Sequence, residues 1–211
     1  MKISTVLKFV LLTMFFQSAT AQLKSQTLVA GAGGGVNFSD TVGYSFTVGQ
    51  SSLRVSALGV YDTLSDGLLF ANTVGIWTNA GALIGSVTIP AGTGATLTNN
   101  FRWSSVSPFD LISGQTYRIG AFSSTEVRFS GQVPSGGANP TFTTSGDITL
   151  IGVVRNNDFS FAFPSESGNA GQAVIGGNAM YSAIPEPSTY AALFGLTALG
   201  FAAYRRKNNS V

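Results

Sequence analysis

Hydrophobic and polar positions alternate over short stretches from about Tyr44 onward, and each stretch is closed by turn-forming residues. The pattern predicts strands at Tyr44–Val48, Leu53–Tyr61, Thr73–Thr78, Leu83–Ile89, Phe101–Trp103, Tyr117–Phe122, Val127–Phe129, Ile148–Val154 and Phe159–Phe163. Within Leu53–Tyr61 the alternation slips between Ala57 and Leu58, which predicts a bulge or burial on both faces. Asn79-Ala80-Gly81 reads as a turn, and Arg155-Asn156-Asn157-Asp158 as a hairpin tip between the last two strands. Outside the termini no stretch keeps a helical period for ten residues. So many short strands at turn-like spacing predict an all-β domain, a β-sandwich of jelly-roll type, with a closed barrel as the alternative. The domain is expected over residues 40–183, behind a flexible lead at 22–39.

The two ends follow a different grammar. Lys2 and Lys8 precede and enter an apolar run, Phe9 to Phe16, and Ala19-Thr20-Ala21 has the small-x-small form of a signal-peptidase site. This predicts a secretory signal peptide over 1–21, cut after Ala21. At the other end Pro185-Glu186-Pro187 is followed by sixteen uncharged residues, Thr189 to Tyr204, and then by Arg205, Arg206 and Lys207. As a helix that run is about 24 Å long, against a hydrocarbon core of about 30 Å. With snorkelling basic side chains and local thinning it is expected to act as a single transmembrane helix, its basic cluster left in the cytoplasm. The prolines place the helix start near Ser188, which also suits an N-cap.

The ordered triplet, apolar span and basic cluster resemble the PEP-CTERM sorting signal, a tail also labelled the ice-binding protein C-terminal motif. The polar extension Asn208 to Val211 lies beyond the usual end of such signals. The resemblance implies an exported bacterial protein whose sorting and cleavage motif is Pro185, Glu186 and Pro187. It implies transient residence in the inner membrane and a partner, exosortase, that is a Cys-dependent protease or transpeptidase. The processed body is then expected at the cell surface or outside the cell, in association with exopolysaccharide.

Composition narrows the chemistry of the body. The chain has 211 residues, 26 Gly, no Cys and no His. Disulfides, thiolate metal sites and every His-based triad are thereby excluded. The sequence pI of about 9.0 comes from the two ends. Over residues 22–184 six basic groups face eight acidic ones, a net of −2 with scattered Arg, which gives no footprint for nucleic acid. Leu58-Gly59-Val60-Tyr61-Asp62, Val74-Gly75-Ile76-Trp77, Phe101-Arg102-Trp103 and Leu111 with Gly114-Gln115-Thr116-Tyr117 and Gly120 resemble an uncharacterised domain-of-unknown-function family of secreted bacterial proteins. That resemblance covers roughly residues 40–165 and implies a carbohydrate-binding-module-like sandwich, with no catalytic residues to transfer.

Four further features carry candidate chemistry. Gly31 to Gly35 evokes a phosphate loop but lacks the strand, helix and Lys that such a loop needs, so a turn is expected. Asp62 and Asp66, with Asn72, offer oxygens for Ca²⁺, although the spacing is not that of an EF-hand and an Asp-Gly turn joining two strands is the favoured reading. Trp77 and Trp103, with Tyr61 or Tyr117, are candidates for a platform under sugar rings, against a role in the core. The carboxylates are scattered, and no Gly-x-Ser-x-Gly elbow is present. The expectation is a non-enzymatic protein without a cofactor. A dedicated glycan-binding module is the first alternative and a carboxylate-based glycoside hydrolase the second.

Overall fold

The structure is a computed structural model and describes residues 26–31, 35–37, 39–122, 127–132, 142–170, 172–185 and 187–208. Its strands in chain order are β1 (Gln26–Thr27), β2 (Val29–Gly31), β3 (Gly35–Asn37), β4 (Val42–Val48), β5 (Leu53–Tyr61), β6 (Asn72–Thr78), β7 (Leu83–Ile89) and β8 (Thr96–Thr98). They continue with β9 (Phe101–Leu111), β10 (Thr116–Phe122), β11 (Val127–Gln132), β12 (Phe142–Thr144), β13 (Ile148–Arg155), β14 (Glu166–Ala170), β15 (Gln172–Ile175) and β16 (Gly177–Ala183). A helix, α1 (Pro187–Asn208), follows. The all-β class is as the alternation predicted.

Two antiparallel sheets carry the fold, in the orders β1-β16-β5-β9-β8 and β14-β13-β4-β10-β6-β7. Their apolar faces share one core. Tyr44, Phe46 and Val48 of β4, Val74 and Ile76 of β6, and Ile119 of β10 enter it from the six-stranded sheet. Leu53, Val55, Leu58 and Val60 of β5, Phe101 and Trp103 of β9, and Tyr181 of β16 enter from the five-stranded sheet. Each such side chain contributes about 1.5–3 kcal/mol by leaving water. The period-two spacing of Tyr44, Phe46 and Val48 is the direct imprint of the pleat.

Several expectations are corrected. The lead is not flexible throughout: β1, β2 and β3 form within it, and Leu28 and Val29 are buried core residues. In β5 the slip of alternation at Ala57–Leu58 is burial on both faces, every residue from Ala57 to Tyr61 being buried, while the bulge itself lies just before it, where the register with β9 and with β16 shifts between Val55 and Ala57. Phe159–Phe163 is not a strand. Asn156 to Ser165 instead crosses the outer face of the six-stranded sheet as a strap, and Phe161 stacks on Trp77 with ring centroids 5.2 Å apart. Thr41 Oγ1 donates to Ser160 O, Asn156 Nδ2 donates to the same carbonyl, and Arg118 donates to Pro164 O and Ser165 O. These bonds satisfy polar groups that β-pairing would otherwise have taken up, so apolar spacing there reports a second small core and not a strand.

Strand direction defines two ends of the sandwich. Leu53 pairs with both Ala183 and Leu111, so the start of β5 and the ends of β9 and β16 lie together at one end, here the tail end. The opposite end carries the 62–71 and 90–95 loops.

Candidate functional site

The tail leaves the sandwich without a spacer. Ser182 and Ala183 pair with Arg54 and Leu53, and Ile184 N donates to Ser52 O at 2.7 Å. Arg54 in turn makes a two-pronged bond to Asp110 on β9, at 2.8 and 3.0 Å, and holds that carboxyl below the usual carboxylate range. Pro187 is already helical, so only Pro185 and Glu186 separate the last bond to the body from α1. The helix starts one residue before the expected Ser188, with proline at the first helical position, where its missing N–H costs nothing.

Along α1 the side chains of Phe194, Leu196, Leu199, Phe201 and Tyr204 are all exposed. At 100° per residue they are spread around the whole circumference. Arg205 and Arg206 close the run, and Arg205 lies over the Phe201 ring at 6.0 Å. The expected transmembrane helix at 189–204 is corrected: among the described residues no helix is long and apolar enough to cross a membrane. The run is only sixteen residues, and Thr189, Tyr190, Gly195, Thr197, Gly200 and Tyr204 dilute it. The signal-peptide residues Ala19 and Ala21 and the motif residue Glu186 lie outside the described residues.

The structure does not bring the two tryptophans to one surface. Trp77 is in the six-stranded sheet beneath the strap and 3% exposed; Trp103 is in the five-stranded sheet and 6% exposed. Trp103 Nε1 donates to Thr98 O, and its ring lies over Gly59, where an added Cβ would come within 2.5 Å. Neither indole offers a face to a sugar ring: Trp103 lies over Gly59 of the partner strand, and Trp77 lies over Gly75 of its own strand beneath Phe161. Tyr61 and Tyr117 are buried as well.

Of the candidate calcium oxygens, one carboxylate is engaged within the protein. Asp62 Oδ2 accepts from Arg102 Nε at 2.8 Å and from Gly67 N at 3.1 Å, with both charged side chains nearly fully buried. The remaining Arg102 donors reach Thr93 O, Ala95 O and Ser65 O. The guanidinium therefore rivets the 62–71 loop to the 90–95 loop, and Leu68 and Gly92 pair across them. Asp66 is exposed; Asn72 Nδ2 donates to Phe70 O, while its Oδ1 is buried without a hydrogen-bond partner among the described residues. Among the described residues no three acidic, His or Cys side chains gather to hold a metal. Gly31 ends β2 and Gly35 begins β3, so the glycine run joins strands; Ala32 to Gly34 lie outside the described residues.

A feature the sequence did not flag is a cleft of about 460 Å³ at the tail end. Thr78, Asn79 and Ala80 form one wall and Gly114, Gln115, Thr116 and Tyr117 the other. Both walls are braced. Thr78 N donates to Ala82 O, Gly114 N to Val48 O, and Ile112 N to the Tyr117 hydroxyl. Gly114 has φ of 72°, a left-handed turn position that suits glycine. The lining residues carry no charge and mix apolar surface with amides on Asn79 and Gln115 and hydroxyls on Thr78, Thr116 and Tyr117; the Arg118 guanidinium lies behind one wall and donates to Asn79 Oδ1. Ser52 links this cleft to the tail root, since its Oγ accepts from Ser113 N while its carbonyl holds Ile184.

The chain's end is decided by comparison. Residues 183–207 match the PEP-CTERM protein-sorting motif. The motif thus begins on the last residue of β16 and runs to the basic cluster of α1. It marks the chain as exported and sorted by exosortase. No curated protein matches. Among solved structures the chain is similar to particles of infectious bursal disease virus. Its derived T=1 particle is 14% identical over 79% of this chain and 42% of that one, at a TM-score of 0.23. The VP2 subviral particle is 12% identical over 88% and 50%, also at 0.23. The chain spans half or less of the length of these structures.

Proposed function

We propose that this is a non-enzymatic protein of the cell surface or extracellular matrix, delivered by the PEP-CTERM route and associated with exopolysaccharide. The observation that carries the reading is the position of the motif. Its helix exposes its described apolar side chains and adds nothing to the core, as suits a segment that is read and removed. In this reading an N-terminal signal peptide directs export, and the apolar tail with its basic close keeps the protein at the inner membrane. Exosortase then cuts near Pro185-Glu186-Pro187 and leaves the sandwich at the surface or free. No nucleic acid takes part and no cofactor is needed.

A second reading, a glycan-binding module, is favoured by the tail-end cleft. Neutral amides and hydroxyls on fixed turns match a neutral polyhydroxylated ligand better than a charged one. The experiment that tests the first reading is the intact mass of the mature protein from its native host. A mass running from Gln22 to about Glu186 supports export and sorting; a mass that retains the tail to Val211 refutes processing.

A further inference from the structure

The sorting motif starts before the fold has ended. Ala183 is the first residue of the motif and the last of β16, and Ile184 is still hydrogen-bonded to Ser52. From Ile184 to the first helical residue, Pro187, is at most about 11 Å of extended chain. An enzyme that cuts a peptide holds it extended on both sides of the scissile bond, within walls several residues deep. Such an enzyme cannot reach residues 185–187 while standing clear of the body.

We propose that the tail end of the sandwich is a docking face for the sorting enzyme. The inference rests on the exosortase reading and adds a contact surface on the folded body to it. The surface consists of the Gly49–Ser52 turn, the Ile112–Gln115 turn and the cleft between that turn and Asn79. Its occupant is set by chain length, because the enzyme that grips Pro185 is within two residues of Ser52's partner. Ile112 is 51% exposed at the rim, an apolar contact on an otherwise polar face. Gln115 is exposed beside it and lines the cleft. Arg54 and Asp110 bridge β5 to β9 at this end, so the surface is presented as one unit. The neutral rim fits an enzyme surface that recognises shape and hydrogen bonds more than charge.

The test is a pulse-chase of tail removal from the full-length chain in its native host, with four variants. They are the parent, Ile112→Glu with Gln115→Glu, a flexible eight-residue Gly/Ser insertion between Ile184 and Pro185, and the combination. Docking predicts that the surface change slows removal about tenfold, the usual scale for loss of an anchoring contact. It also predicts that the insertion alone loses the anchoring contact and that the surface change slows the inserted chain no further, since an enzyme on a long tether no longer meets the body. A surface change without effect in the inserted chain excludes misfolding, which would slow that chain too. Removal of the surface variant at the parent's rate overturns the proposal and leaves the sorting reading intact. Acceleration by the insertion with no surface effect overturns it too, and assigns the barrier to peeling of Ser182 to Ile184 from β5. A parent chain that keeps its tail overturns the sorting reading, and this inference with it.

Discussion

At the scale of residues, the interior holds polar groups whose value depends on their partners. Arg102 is satisfied on every side and neutralises buried Asp62. Replacing Arg102 by Ala leaves that carboxylate buried and unpaired, and urea denaturation should show a loss of about 3–5 kcal/mol. Tyr44 is the reverse case: it is fully buried, and its hydroxyl has no hydrogen-bond partner among the described residues. Tyr44→Phe should therefore hold or raise the melting temperature at neutral pH. Burial pushes the Tyr44 and Tyr181 hydroxyls far above the ordinary phenol value, and Asp147 beside Tyr181 pushes the same way. A raised folded-state pKa means stability that is whole below about pH 10 and drains as the pH climbs past it. A pH series of melting temperatures should show that alkaline loss, and Tyr44→Phe should shrink it. The sequence left Asp62 between an Asp-Gly turn and a metal oxygen, and the tryptophans between the core and a binding platform; the burial of both rings agrees with the core reading, while the Arg102 partnership was not legible. Side-chain type gave the chemistry available; only the fold shows which groups have already been used on one another.

At the scale of elements, alternation located most of the strands that place apolar residues in the shared core. Leu53–Tyr61 and Leu83–Ile89 have the bounds read from the pattern. It missed β16, Gly177–Ala183, although that strand is central to its sheet. The reason is its small and polar residues: Asn178 is buried because its amide exchanges hydrogen bonds with the backbone of Val29, 149 positions away. A local window cannot see such a partner. The tail was legible because its information is linear, an ordered triplet, apolar run and basic cluster read as a string. The glycine-under-aromatic pairs are equally non-local, and they can be checked. Gly59→Ala drives a methyl into the Trp103 ring, and overpacking of that kind should cost about 1–3 kcal/mol in equilibrium unfolding. Trp103→Ala should cost about 3–5 kcal/mol, so a lowered melting temperature must accompany any change in glycan binding it causes.

At the scale of the whole molecule, the body and its tail are energetically separate although they are covalently close. The described side chains of α1 are exposed, so truncation after Ile184 should leave the melting temperature of the body unchanged within a few degrees. Calorimetry of the full-length and truncated chains checks this, and a large drop would mean that the tail packs on the sandwich. The sheet order has a consequence beyond sorting. Gln26 and Thr27 of β1 lie beside Tyr181 and Met180 of β16, so the chain enters the body at the same end from which it leaves. Neighbouring strands are about 4.8 Å apart, and both attachments therefore pull on one small spot. The opposite rim, where Leu64, Leu69 and Phe70 stand out from the riveted 62–71 loop, lies at the far end of the strands from both points of attachment, and its apolar side chains are the part of the body that neither attachment can cover.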